Sequence, residues 1–242
     1  MPELSFAGQQ ETYLNMRGDA MVLDAVQRCW ASLWTARAIG YRARQGIAPQ
    51  EVSLAVTVQE LVPAEAAGIL FTANPLTGAR DQVMLSAAWG LGEAIVGGQV
   101  TPDTLTVDKA SGSIIEQQIN AKEVMTVRTA EGTQEEPVPA ERRTQAVLSP
   151  AQAAELARIG GRIEHLYGRP MDVEWALHEG HFSVVQARPI TALPEPVTAP
   201  AEAQAGDWQL PNPKGRYMRT SVFELLPDPL SPLFATLGLP AF

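Results

Sequence analysis

Residues 171–177, Met171-Asp172-Val173-Glu174-Trp175-Ala176-Leu177, and residues 182–191, Phe182-Ser183-Val184-Val185-Gln186-Ala187-Arg188-Pro189-Ile190-Thr191, alternate apolar and polar side chains among strong strand formers. The link between them, His178-Glu179-Gly180-His181, carries a turn glycine, so the two runs are predicted to close into an antiparallel hairpin. Register then decides the chemistry. A two-residue loop at Glu179-Gly180 sets Glu174 opposite Val185 and sends Gln186 to the other face, because side chains alternate along a strand. A three-residue loop, Glu179-Gly180-His181, pairs Glu174 with Gln186 and Asp172 with Arg188, and this is the register we expect. It gathers two carboxylates, an amide oxygen and a guanidinium on one face, a set suited to a hard cation such as Mg²⁺ beside a phosphate chain. Taken alone, a cross-strand Asp/Arg pair reads as ordinary sheet decoration.

The rest of the chain bears on that choice. With 242 residues, 45% hydrophobic and 19% charged, it is long enough to bury a core as one large domain or two small ones. A net charge of −9 without clustered Lys and Arg argues against a nucleic-acid surface. A local phosphate site needs only one or two Arg, backbone N–H groups and a metal. Cys29, the single cysteine, falls in an amphipathic helical segment and reads as a buried thiol in a reducing compartment. The first residues have neither a basic region nor an apolar run, and no apolar run is long enough to span a bilayer, so a cytoplasmic protein without membrane partners is expected.

Along the chain, residues 5–15 are expected to form a glycine-containing, amide-rich loop turning into a short strand. From Asp19 to Gln45 apolar residues recur at helical spacing, with Asp19 able to cap the start and Gly46 to stop a core helix that buries Trp30 and Trp34. Leu54 to Val58 alternate as a strand ending in Gln59-Glu60-Leu61-Val62, and further strands are predicted at Gly68–Thr72 and Gln82–Ala88. Trp89-Gly90-Leu91-Gly92-Glu93 opens a short helix; it has too few glycines for a phosphate fingerprint and takes no catalytic role. Thr104–Asp108, Ser113–Ile119 and Val124–Arg128 read as an inserted meander, and Ala130–Val147 as a polar surface loop. Ser149-Pro150-Ala151-Gln152 carries a capping box with proline at the first helical position, and the helix it starts ends at Gly168 before Pro170. A Pro-, Ala- and Glu-rich linker and an incomplete second domain follow.

Five motifs in this order carry a resemblance: Phe6-Ala7-Gly8-Gln9-Gln10-Glu11-Thr12, Val58-Gln59-Glu60-Leu61-Val62, Gly68-Ile69-Leu70-Phe71-Thr72, Trp89-Gly90-Leu91-Gly92-Glu93, and Asp172-Val173-Glu174-Trp175-Ala176 with Val185-Gln186-Ala187-Arg188-Pro189. Together they resemble the nucleotide-binding domain shared by phosphoenolpyruvate synthase, pyruvate phosphate dikinase and rifampicin phosphotransferase. Past the linker, residues 215–232 look most like the start of the substrate domain of the rifampicin branch. The resemblance implies an α+β, ATP-grasp-type fold with a mixed or antiparallel sheet, of which this chain holds the larger lobe only: residues 1–192 the partial nucleotide domain, 193–214 the linker, 215–242 the start of a substrate domain. It further implies transfer of the β-phosphoryl group of ATP through a phosphohistidine to an acceptor, with AMP as product.

By that resemblance Glu174 and Gln186 ligate Mg²⁺, Arg188 contacts the phosphate chain as the catalytic cation, and Asp172 supports them. Gln59, Glu60, Leu61 and Val62 form the hinge against the adenine edge, and Gly8, Gln9 and Thr12 lie near the phosphates. Phosphoryl transfer is mostly positioning plus charge neutralisation, so no protein nucleophile is required here. Glu93 stays a weak candidate, and His165, His178 and His181 lie outside the family's phosphohistidine context. The family's smaller lobe and its swinging histidine domain are expected as partners, so the isolated chain is expected to bind ATP weakly and to be inactive alone. A rifampicin-like acceptor is placed ahead of pyruvate, and a catalytically inert docking subunit is the alternative.

Overall fold

A computed structural model describes residues 11–48, 50, 52–96, 98, 100–130, 132–191 and 193–194. The expected linker beyond Pro194, the expected second domain, and Gly8 and Gln9 lie outside the described residues. The fold is α+β. Helices α1 (Gly18–Ala31) and α2 (Ala36–Arg44) come first, followed by strands β1 (Ala66–Phe71) and β2 (Gln82–Trp89), short helix α3 (Glu93–Val96), strands β3 (Asp103–Asp108), β4 (Ile114–Gln118), β5 (Val124–Arg128) and β6 (Thr133–Pro137), helix α4 (Pro150–Tyr167), and strands β7 (Met171–His178) and β8 (His181–Pro189).

Six strands form one sheet in the order β4-β3-β2-β1-β7-β8, with every neighbouring pair antiparallel. The sheet is therefore antiparallel throughout rather than mixed, and β3 and β4 belong to it rather than to an inserted meander. β5 and β6 make a separate two-stranded ribbon. That ribbon corrects the expected surface loop: Thr133–Pro137 is a strand despite its polar composition, because its backbone pairs with β5 from Val124↔Pro137 to Arg128↔Thr133. The same stretch also reaches the interior at Val138, Val147 and Leu148.

α4 begins as its residues dictate. Ser149 Oγ accepts from Gln152 N, Gln152 Oε1 accepts from Ser149 N, Pro150 opens the first turn, and Gly168 ends the helix at φ 66°. Leu156 and Ala157 of α4 pack over Leu70, Val83, Leu85, Leu105, Met171, Val173, Trp175 and Leu177, the main core. Gly160 lets the helix approach closely: a Cβ there would sit 2.7 Å from Leu70 Cδ2. Because odd-numbered β7 residues fill this core, Asp172 and Glu174 face the side of the sheet opposite α4.

The N-terminal helical segment departs furthest from expectation. The helix expected over 19–45 breaks at a 3₁₀ turn, Ser32–Trp34, and restarts where Thr35 Oγ1 caps Ala38 N. Asp19 lies in the first turn of α1 but is not its cap; Arg17 holds that position with no side-chain cap bond. Trp30 and Trp34 are 51% and 62% exposed, so the expected core helix turns much of its apolar face outward, whereas Trp175 is core. Cys29 is half-buried rather than buried, its Sγ 3.5 Å from the Glu11 carbonyl. Residues 54–57 keep an alternating burial and Val58 is exposed, but residues 54–58 form no strand, because no described strand offers their backbone a ladder. No helix among the described residues is long and apolar enough to cross a membrane.

Candidate functional site

The β7–β8 hairpin closes through two residues, not three. His178 pairs with His181, and Glu179 (φ 48°) and Gly180 (φ 76°) both take left-handed conformations, the pattern of a type I′ turn. On a regular ladder this loop would set Glu174 opposite Val185. The ladder instead shifts between Glu174 and Trp175: Trp175 pairs with Val184, Glu174 pairs with Gln186, and Val185 is the surplus residue of a β-bulge. The expected pairing of Glu174 with Gln186 and of Asp172 with Arg188 is thus present, but a bulge produces it where a longer loop was expected. The type I′ preference of a residue–glycine pair was the available signal for a short turn and a compensating bulge.

The bulge has a second effect. The Val185 carbonyl, freed from the ladder, accepts a hydrogen bond from Gln59 Nε2 at 3.2 Å. Gln59, expected on the hinge, is therefore joined to the residue next to Gln186. Glu60 is exposed, and Leu61 and Val62 are half-buried, in a stretch without regular structure leading to β1. Thr12 is exposed, and no described hydrogen bond joins it to the hairpin; its neighbour Glu11 is held on the helical segment by Arg37 Nη2 at 2.8 Å.

Electrostatics distinguish the members of the hairpin set. Asp172 is 8% exposed, and one of its oxygens, Oδ2, accepts from both Arg188 Nε at 2.8 Å and Arg188 Nη2 at 2.7 Å. Glu174 has no such partner. Burial, and secondarily the charge of Asp172, hold its carboxyl above the usual glutamate range, with Arg188 opposing them. A carboxylate pushed toward its neutral form beside a second carboxylate is a place where a cation would relieve strain. No cluster of three or more His, Cys, Asp or Glu able to hold a metal exists among the described residues. Two carboxylates and an amide are nonetheless the sparse oxygen set that suits Mg²⁺, which retains waters and shares substrate phosphates.

Of the other candidates, Glu93 has a structural partner. Glu93 Oε2 accepts from Thr133 Oγ1 at 3.2 Å, tying α3 to β6. His178 Nδ1 lies 3.5 Å from Glu65 Oε1 at the hairpin end, and His165 is on α4.

The pyruvate phosphate dikinase AMP/ATP-binding domain family matches residues 1–207. The chain is 49% identical over 208 residues to phosphoenolpyruvate synthase of Pyrococcus furiosus, covering 82% of this chain and 26% of that protein. It is 49% identical over 195 residues to the probable phosphoenolpyruvate synthase of Methanothermobacter thermautotrophicus, covering 81% and 28%. With rifampicin phosphotransferase of Streptomyces sviceus the identity is 43% over 235 residues, covering 96% of this chain and 26% of the relative. The chain thus spans about a quarter of the length of these curated relatives. With a match over most of its length, the chain belongs to the pyruvate phosphate dikinase AMP/ATP-binding domain family.

Proposed function

We propose that the face of the β7–β8 hairpin opposite α4 binds the phosphate chain of Mg-ATP, and that this domain presents the nucleotide for β-phosphoryl transfer, through a phosphohistidine on another domain, to an acceptor. The observation that carries the reading is the bulged register, which sets Glu174 beside Gln186 and Asp172 beside Arg188 on one face and puts Gln59 against the bulge. Glu174 and Gln186 would hold Mg²⁺, whose chemistry is to neutralise charge on the phosphate oxygens. Arg188 offers a guanidinium to the same oxygens, and Asp172 orients it. Gln59 to Val62, joined to the hairpin at Val185, form the edge along which the adenine lies, and Gly8, Gln9 and Thr12 approach the phosphates. An ATP-grasp architecture, with part of the clamp supplied from elsewhere, accommodates these roles.

For the acceptor we place a rifampicin-like compound ahead of pyruvate, on the likeness of residues 215–232 to the start of the rifampicin branch's substrate domain and on the 96% of this chain that aligns with the Streptomyces sviceus rifampicin phosphotransferase. Because the chain spans about a quarter of these relatives, complete transfer is proposed for the assembly that contains it.

The test is an NMR titration of the chain with ATP, in Mg²⁺ and in EDTA, which detects millimolar binding. Mg²⁺-dependent shifts are expected at Gln59, Glu174, Gln186 and Arg188, and Glu174→Gln is expected to remove the Mg²⁺ dependence. Shifts confined to other faces, or identical with and without Mg²⁺, would overturn the assignment.

A further inference from the structure

A second group of cationic side chains lies away from the hairpin face. A cleft of about 490 Å³ is lined by Arg17, Pro63, Ala64, Leu91, Arg128 and Thr129, among others, and its charged lining consists of two arginines. In a chain of net charge −9 this is an unusual lining. Both arginines are exposed, and neither meets a carboxylate within salt-bridge distance among the described residues. Among the described acids, Glu65 Oε1 accepts from Glu179 N at 3.1 Å, and Glu93 Oε2 accepts from Thr133 Oγ1.

The arginines are also positioned. Asn15, 8% exposed and left-handed at φ 56°, donates its amide hydrogens to the carbonyls of Thr129 (2.8 Å) and Gly132 (2.6 Å), on the two arms of the β5–β6 turn. Its Oδ1 accepts from Arg17 Nε at 3.3 Å. One buried amide therefore fixes the hairpin that carries Arg128 and restrains Arg17, engaging Nε and leaving the terminal nitrogens of that guanidinium to other partners. A left-handed non-glycine residue costs free energy, and its side-chain bonds offset that cost here.

We infer that Arg17 and Arg128 form a second anion-binding site, for a tetrahedral oxyanion of the phosphate class. Two guanidiniums suit such an oxyanion, with parallel N–H donors matched to adjacent oxygens, and the flanking Pro63 and Leu91 accept a small organic substituent. The site is separate from the proposed Mg-ATP phosphates. Pro63 and Ala64 precede the start of β1 at Ala66, whereas Glu174 pairs with Ile69 and Asp172 with Phe71, about 10 and 17 Å further along at 3.3 Å per residue. An anion in the cleft would also bridge the N-terminal segment to the β5–β6 ribbon and stiffen the junction that Asn15 holds.

The experiment titrates the full 242-residue chain with inorganic phosphate and, separately, glycerol 3-phosphate, following the Arg Nε–Hε resonances by NMR against sodium chloride at matched ionic strength. Saturable shifts at Arg17 and Arg128 are expected. Arg17→Gln and Arg128→Gln should each weaken binding about tenfold or more, the size of one lost hydrogen bond to a charged group, and Arg188→Gln should leave it unchanged. Binding of both probes supports a phosphate-ester site, and binding of inorganic phosphate alone a free-phosphate site. The inference is overturned if neither arginine responds, if chloride produces the same shifts, or if only Arg188→Gln abolishes binding, which would put the anion on the hairpin.

Discussion

Replacing Lys122 by methionine should be the most damaging single change in the sheet's support. Lys122 and Asp103 are both 0% exposed, and Lys122 Nζ lies 2.5 Å from Asp103 Oδ1 and 2.8 Å from the Asn120 carbonyl. Asp103 Oδ1 also accepts from Asn120 N at 3.1 Å, and Oδ2 from Val147 N at 2.9 Å. One buried carboxylate therefore ties the start of β3 to the β4–β5 link and to the stretch entering α4. Removing the ammonium leaves that charge in the interior with backbone donors alone, and breaking a buried pair in this way costs about 3–5 kcal/mol. With an m-value of about 2–3 kcal/mol/M in urea, the unfolding midpoint should fall by about 1–2.5 M at constant m. Asp103→Asn should cost a similar amount, by stranding the ammonium. The double variant discards both charges, and the amide oxygen that replaces the carboxylate can still accept one of the two backbone N–H groups; it should be more stable than either single variant, losing about 1–3 kcal/mol for the remaining donor. Urea denaturation of all four proteins completes the cycle. Additive losses in the double variant, or a loss under about 1 kcal/mol for Lys122→Met, would refute the reasoning, since the latter is what an exposed pair delivers.

Glu174 sets a pH dependence. Its carboxyl holds its proton to higher pH in the folded chain than in the unfolded one, so its contribution to stability is complete below the ordinary glutamate range and is lost as pH rises through the raised folded value. Thermal denaturation of the metal-free chain should show this decline, and Glu174→Gln should flatten it while raising stability near neutrality; an unchanged profile would discount Glu174. The glycine pair of α4 should split in sign. Gly161, with nothing within 4 Å of a built Cβ, should gain about 0.5–1 kcal/mol on mutation to alanine, whereas Gly160→Ala should be destabilising because it crowds Leu70; denaturant midpoints measure both. Gln59→Ala should leave the hairpin folded but diminish the ATP-induced NMR shifts at Val185, as the Nε2 bond to its carbonyl is lost.

Sequence alone determined the features that rest on near neighbours. Ser149, Pro150, Gln152 and Gly168 set both ends of α4, because capping and left-handed termination involve groups within a few residues of one another. Alternation along residues 171–189 identified β7 and β8 and put Asp172 with Glu174 on one face of the first strand and Gln186 with Arg188 on one face of the second, since the period of a strand assigns faces without reference to the rest of the fold. Tertiary structure decided what depends on distant partners. Periodicity over 19–45 marks an amphipathic helix but not what its apolar face meets, so Trp30 and Trp34 are exposed while Trp175 is buried. Polar residues 133–137 became a strand because β5 offered them a ladder, whereas the strand-like residues 54–58 found none among the described elements. The Val185 bulge, and with it the facing of Glu174 and Gln186, reconciles a two-residue turn with the pairing of Asp172 and Arg188 at the other end of the hairpin. Such a balance between local turn preference and long-range pairing belongs to the assembled sheet, where both constraints act on one strand.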